Sequence, residues 1–261
     1  MVGVLWALLA FFVVVSLVAG YYALTYRARR RQRGIFGHWP IRTIPLEELD
    51  PIFARTPFGP GIETEVRYVG QGGGIPGGTS DAEAWILAVL AKKSRAMFEF
   101  GTCTGKTTYL WARNAPQGAR IATITLAPEQ VKDYSSDGSD DAKDVRYALK
   151  ESAYDHFFYT GTEVEPRIEQ LFGDSKAFED GKHKDAYDLI FVDGSHAHSY
   201  VISDSEKAIN MCAPGGLILW HDYAGRRHSP GVFDGLNEMA RKLPLVHVAG
   251  TTLVAYRKPR A

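Results

Sequence analysis

The chain has 261 residues, 45% of them hydrophobic, enough for one α/β domain with a sizeable core once an apolar N-terminal segment is set aside. Its formal charge is zero, but five arginines lie within Arg27–Arg33 and no acidic residue precedes Glu47; the remainder holds 25 basic and 30 acidic residues, which argues against a nucleic-acid-binding body with a basic face. Two cysteines, Cys103 and Cys212, give no disulfide framework and fit a reducing compartment.

In chain order, Val2–Leu24 is almost wholly apolar, with Ser16 its most polar member apart from the tyrosines near its end. A helix of that length spans roughly 30 Å of hydrocarbon at about 1.5 Å per residue. Tyr21, Tyr22 and Tyr26 suit the interfacial belt, and the run RARRRQR follows at once. The positive-inside rule places that run, and the domain beyond it, in the cytosol. A cleaved signal peptide is the competing reading; against it stand the length of the apolar run and the lack of a basic residue in Met1–Leu5. The arginines serve as a topology signal or as a binder of anionic lipid. Residues 1–26 are thus expected to form a single-pass anchor. Residues 27–78 are expected to be a basic juxtamembrane segment and irregular tether ending in the flexible Gly70–Gly78, and 79–261 the folded domain.

Ser80-Asp81-Ala82-Glu83 has the form of a capping box, and Trp85, Ile86, Val89 and Leu90 follow at helical spacing, which predicts a helix to about Lys93. Arg95–Phe100 reads as a strand entering the loop GTCTGKTT and then a helix ending near Asn114-Ala115-Pro116. Ile121–Leu126 is a second strand. Ala127–Glu165 is polar, with some helix around a loop-like YSSDGSDD core, and reads as an insertion or lid. Arg167–Phe172 is a third strand, ending in Gly173-Asp174-Ser175. Tyr187–Tyr223 reads as strand, loop, helix, turn, strand; its strands stop on Asp193 and on His221-Asp222. Val232–Leu243 looks helical, and Leu245–Val248 with Thr251–Tyr256 form a closing pair. Apolar runs without alternation suit strands buried on both faces, and strands alternating with helices imply a doubly wound, mostly parallel sheet. Ligands bind beyond the carboxyl ends of such strands, so two carboxylates and several imidazoles are aimed at one crevice.

The loop Glu99-Phe100-Gly101-Thr102-Cys103-Thr104-Gly105 joins a strand to a helix, where glycines allow a tight turn and close approach to a ligand. A P-loop needs four residues between its first glycine and the Gly-Lys pair; three stand here, which excludes that cradle. The segment resembles motif I of the class I S-adenosylmethionine-dependent methyltransferases. With Gly173-Asp174-Ser175, YDLIFVDGSH, APGGLILWHDY and the closing strands in order, residues Thr79–Arg257 look most like the small-molecule O-methyltransferases of the catechol, macrocin and cephalosporin-hydroxylase-like group. The resemblance implies a Rossmann-like seven-stranded sheet with an antiparallel closing strand. It implies that Glu99, Gly101 and Gly105 hold the methionine part of the cofactor, with Thr102 of the same loop a further cofactor contact, that Asp174 and Ser175 face the adenine, and that Asp193 lies near the methionine end. There is one departure: Thr125 stands where the family usually has an acid for the ribose hydroxyls, and a hydroxyl makes no charged bidentate bond.

Methyl transfer from a sulfonium needs an oriented, deprotonated acceptor oxygen. A divalent cation supplies both. Asp193 and Asp222 are hard ligands suited to Mg²⁺, and His221 as a third ligand makes Mn²⁺ reasonable; the alternative is that the two aspartates merely cap turns. Asp193, His196 and His221 are the expected catalytic residues, with His196 or His221 as general base. The expected partners are a small-molecule or lipid-linked hydroxylated acceptor and the membrane, with no nucleic acid; a homo-oligomer is a further expectation. The other function classes in view are a hydroxylase-type relative of the same fold and a degenerate, membrane-bound scaffold, for which Thr125 is the support.

Overall fold

The computed structural model describes residues 2–30, 39–70, 78–152 and 154–260 and divides into two compact units, Met1–Pro40 and Ile41–Ala261. The first holds helix α1 (Val2–Arg30). Its Val2–Arg27 stretch is long and apolar enough to cross a membrane, a test that an N-terminal signal sequence also passes. Arg31 and Arg33 lie outside the described residues, as does most of the glycine-rich Gly70–Gly78.

The second unit opens with β1 (Thr43–Ile44), α2 (Leu46–Leu49) and a hairpin of β2 (Arg55–Thr56) and β3 (Gly59–Pro60). There follow α3 (Asp81–Ala91), β4 (Ala96–Phe100), α4 (Lys106–Asn114), β5 (Arg120–Thr125), α5 (Ala142–Glu151) and β6 (Ile168–Phe172). The chain closes with β7 (Tyr187–Val192), α6 (His198–Met211), β8 (Cys212–Trp220), α7 (Pro230–Met239), β9 (Val246–Val248) and β10 (Val254–Arg257). The strand order is β1-β9-β10-β8-β7-β4-β5-β6. Strands β4 to β10 are the seven expected. Strand β10 runs antiparallel to both its neighbours, β8 and β9, and every other pairing in this sheet is parallel.

Side chains alternate across the pleat, and both faces are apolar. Met97, Leu189, Phe191, Leu217 and Leu219 join one core cluster with Leu87 and Leu90 of α3 and Trp111 of α4. Trp220 points to the other face, where its indole N–H donates to Ser205 of α6 at 2.8 Å. Burial on both sides explains the continuous apolar runs.

Part of the stretch expected as juxtamembrane segment and tether, 27–78, belongs to the second unit, which begins at Ile41. From Ile41 the chain is folded: Ile41, Ile44, Leu49 and Phe53 are buried, and β1 adds an eighth strand beside β9. Buried Asp50 receives Lys93 at 2.7 Å and Arg257 at 2.9 Å, which fastens this arm to α3 and β10. The arm's apolar residues come singly or in short groups between Pro and charged residues, in stretches too short to announce a long helix or strand.

Candidate active site

The carboxyl ends of β4 to β7 open into one cavity. Gly101 and Cys103 border it after β4, Thr125 and Leu126 at β5, Gly173-Asp174-Ser175 after β6, and Asp193-Gly194-Ser195 after β7. The insertion covers it through Tyr134 and through Ala148 and Glu151 of α5. Tyr134 stacks on Tyr200 of α6 with centroids 4.5 Å apart, and the Ser135 N–H donates to the Tyr200 hydroxyl at 2.8 Å, so this roof is fixed to the body.

The residues expected to hold a cofactor are distributed unequally. Thr125, Asp174 and Ser175 border the cavity. Glu99 and Thr102 border a separate small recess on the α4 side, and Gly101 and Asp193 border both. Gly105 borders neither; it is the left-handed N-cap of α4 (φ 75°), where an added Cβ would stand 2.7 Å from the Tyr159 ring. Gly101 (φ 93°) has a packing reason to be glycine: a Cβ there would lie 2.1 Å from the carbonyl oxygen of Asp193. Glu99 is buried and accepts hydrogen bonds from Thr108 and, at 2.7 Å, from Thr123. Burial outweighs those bonds and pushes its carboxyl up to about 8. The Thr102 hydroxyl lies 2.8 Å from that of Thr123 and faces the same buried network. Both Asp174 oxygens are engaged, Oδ1 by the Lys176 N–H at 2.9 Å and Oδ2 by the Tyr200 hydroxyl at 3.0 Å.

At the ends of β7 and β8 the structure gathers the expected acids and imidazoles. His196 Nε2 is 2.9 Å from Asp222 Oδ2. His221 Nδ1 is 3.0 Å from Asp193 Oδ1 and 3.2 Å from Asp222 Oδ2. His221 Nε2 turns inward to Glu83 Oε2 at 3.3 Å. Asp222 has φ 61°, a left-handed conformation that an aspartate tolerates better than most residues and that marks a site held by its surroundings. Tyr147 of α5 stacks on His196, centroids 5.9 Å apart.

The protonation states follow from this geometry. Burial opposes a charge on His221, but Asp193 and Asp222 outweigh it and hold the imidazole well above its usual range. Burial likewise opposes charge on His196, and its bond to Asp222 still raises it to about 9. The coupled aspartates diverge: burial drives Asp193 upward, whereas His221 and His196 overcome burial at Asp222 and hold it well below the usual carboxylate range.

Asp193, His196 and Asp222 offer ligand atoms all within 4.8 Å of one another, a set of two hard oxygens and one imidazole nitrogen that fits a divalent cation. His221, expected as a ligand, is not in that set. Both its nitrogens face carboxylates, which favour its protonated form and set it behind the three.

Three site residues were not foreseen in these roles. Glu83 was read only as a cap; it does cap α3, receiving the Ser80 N–H at 2.9 Å, and the same carboxylate reaches His221. Glu151 of α5 sits in the insertion, and burial pushes it up to about 7. Asp204 lies mid-helix, where a sequence shows no sign of a cavity beside it.

Residues 98–223 match a family model described as a methyltransferase domain. Over these residues the chain is similar to a methyltransferase domain. A search of curated proteins gives no match. Among solved structures the chain is similar to an O-methyltransferase from Bacillus cereus in complex with SAH, at 17% identity over 70% of this chain and 84% of that one, TM-score 0.48. It is also similar to the O-methyltransferase TomG from Streptomyces achromogenes, involved in tomaymycin synthesis and solved with SAM (16% identity, 69% and 82% covered, TM-score 0.45). A third is the SAH-bound methyltransferase PaMTH1 from Podospora anserina (15% identity, 71% and 81% covered, TM-score 0.47).

Proposed function

We propose that this chain is a divalent-cation-assisted O-methyltransferase that works at the cytosolic face of a membrane on a small or lipid-linked hydroxylated acceptor. The observation that carries the reading is the convergence of Asp193, His196 and Asp222 at the ends of adjacent strands, with Asp193 on the rim of the cavity that would take S-adenosylmethionine.

The acceptor oxygen attacks the methyl carbon, the carbon–sulfur bond breaks, and the sulfonium leaves as a thioether. The hydroxyl proton needs a home. His196, at about 9, already carries a proton at neutral pH, and His221 is held protonated between carboxylates, so neither expected base is free to accept one in this arrangement. Glu151, at about 7 and bordering the cavity, stands closest to neutrality and takes that role here. A divalent cation held by Asp193, His196 and Asp222 would displace the His196 proton, so that the imidazole serves as ligand and not as base, and would lower the pKa of the acceptor hydroxyl and orient it. The chain's own contribution is a fixed set of charges: the Glu83–His221 pair keeps two converging carboxylates from repelling each other. The retained arrangement supports an enzyme over a scaffold, despite Thr125.

Calorimetry with S-adenosylmethionine, and separately with Mn²⁺, tests this. Binding of both is expected. Asp222→Asn should weaken Mn²⁺ by at least about tenfold while leaving the nucleoside within about twofold. Cofactor binding without cation binding would remove the metal and leave Glu151; no cofactor binding at millimolar concentration would sink the reading.

A further inference from the structure

Asp204 lies two turns into α6 and borders the cofactor cavity on the side of Asp174 and Ser175. It is buried, at 2% exposure. One carboxylate oxygen takes the Ser175 hydroxyl. The other, Oδ1, is buried with no hydrogen-bond partner among the described residues. The carboxylate packs beneath the rim: a Cβ on Gly194 would stand 3.4 Å from Asp204 Oδ2. A buried carboxylate oxygen left without a donor is destabilising, so this position is unfavourable unless something that enters the cavity supplies an N–H or O–H. Burial lifts the carboxyl to about 7, with the Ser175 bond and Lys207 acting against that rise, as expected of an acid whose second oxygen is unmatched.

The proposal rests on the methyltransferase reading, in which the ligand of this cavity carries a purine. We infer that Asp204 reads the cofactor's base: Oδ1 accepts a hydrogen bond from the exocyclic amino group, and the pocket thereby selects a 6-aminopurine. The Asp174 carboxylate, by position the obvious reader, already has both oxygens committed to Lys176 and Tyr200. Asp204 has the free acceptor, and its neighbour Ser175 fixes its orientation. It is a specificity residue; no reacting atom lies near it.

The test is calorimetry on the full-length chain in detergent, comparing S-adenosylhomocysteine with its 6-deamino analogue, which lacks only the amino group. The wild type should prefer S-adenosylhomocysteine by at least about tenfold, the range of a hydrogen bond to a charged acceptor. Asp204→Leu, of similar size and without a buried charge, should bring the ratio close to one, and Asp204→Ser should do the same. Equal binding of the two ligands by the wild type, or an undiminished ratio in the variants, overturns the assignment. The wild-type ratio needs no variant to fold. Failure of S-adenosylhomocysteine itself to bind overturns the cofactor reading and this inference together, whereas binding with an unchanged ratio overturns only the inference.

Discussion

His221 and Glu83 show how one residue type can serve a purpose opposite to the one its motif invites. An imidazole next to an aspartate at a strand end reads as a metal ligand or base. Here a second carboxylate, delivered by the N-terminal turn of α3, claims its far nitrogen and converts it to a structural cation. Glu83 also receives the Thr252 hydroxyl at 2.9 Å, so the cap of α3, the turn before β10 and the catalytic strand meet on one side chain. Burial opposes its ionisation, yet His221, Ser80 and Thr252 hold its pKa at about 2 against an ordinary 4.5. A depressed carboxylate stabilises the fold above its unfolded pKa, and that contribution is lost as pH falls from about 4.5 toward 2. A shift of this size is worth about 3 kcal/mol. Glu83→Gln should therefore lose about that much at pH 7 in urea denaturation and show a flatter stability profile between pH 5 and 2. An acid limb identical to the wild type's would mean that Glu83 adds nothing to it.

At the scale of elements, legibility tracked pattern. The apolar runs Leu189–Val192 of β7 and Leu217–Trp220 of β8 end on charge, and the capping box announced α3, so both acid-bearing strand ends could be read directly. Residues 41–66 could not, because Ile41, Ile44, Leu49 and Phe53 lie in a Pro-rich, polar stretch whose burial depends on a core formed more than 30 residues later. The site was half legible for a similar reason. Asp193 and Asp222 lie on strands with a fixed direction, whereas Glu151 and Asp204 reach the cavity through helix packing that no local pattern encodes. Helix α5 is the clearest case: its cavity-facing residues come from the insertion, and its Asp144 carboxylate receives the Gly231 N–H at 3.1 Å, joining it to the start of α7. A ligand in the cavity would be sandwiched between this roof and the strand ends. Amide hydrogen exchange across residues 142–152 should slow by about tenfold or more when S-adenosylhomocysteine is added, while exchange in β7, already protected in the sheet, stays unchanged. Unaltered exchange in α5 would place the ligand elsewhere.

For the whole molecule, the question is whether the apolar N-terminal helix is an anchor or a signal sequence, and on which side of a membrane the domain then lies. The Val2–Arg27 helix is about 39 Å long at about 1.5 Å per residue, more than the roughly 30 Å of a hydrocarbon core, and every large apolar side chain on it is exposed. Such a surface suits lipid or detergent better than water. Charge sets the direction of insertion. Five arginines follow the apolar run within seven residues, and no acidic residue comes before Glu47 to offset them. The positive-inside rule counts such residues close to a span, so the chain should be held with its arginines, and everything after them, in the cytosol. The supply of cofactor gives a second reason, since a methyltransferase needs the compartment in which its nucleoside is made. Cys103 and Cys212, which form no disulfide with each other, fit a reducing compartment as well. Full-length protein should therefore sediment with membranes, resist extraction by high salt or alkali, and keep its C-terminal domain intact when protease is added to unbroken cells. A signal sequence would give the reverse: a mature N-terminus near Tyr21, release from the membrane, and a domain open to external protease. The arginines offer the sharper check. Replacing all five with glutamine removes the asymmetry while leaving the apolar run unchanged, so a cytosolic domain held by that charge should become partly exposed to external protease. If the orientation survives that change, the folded domain and not the arginine cluster sets the topology.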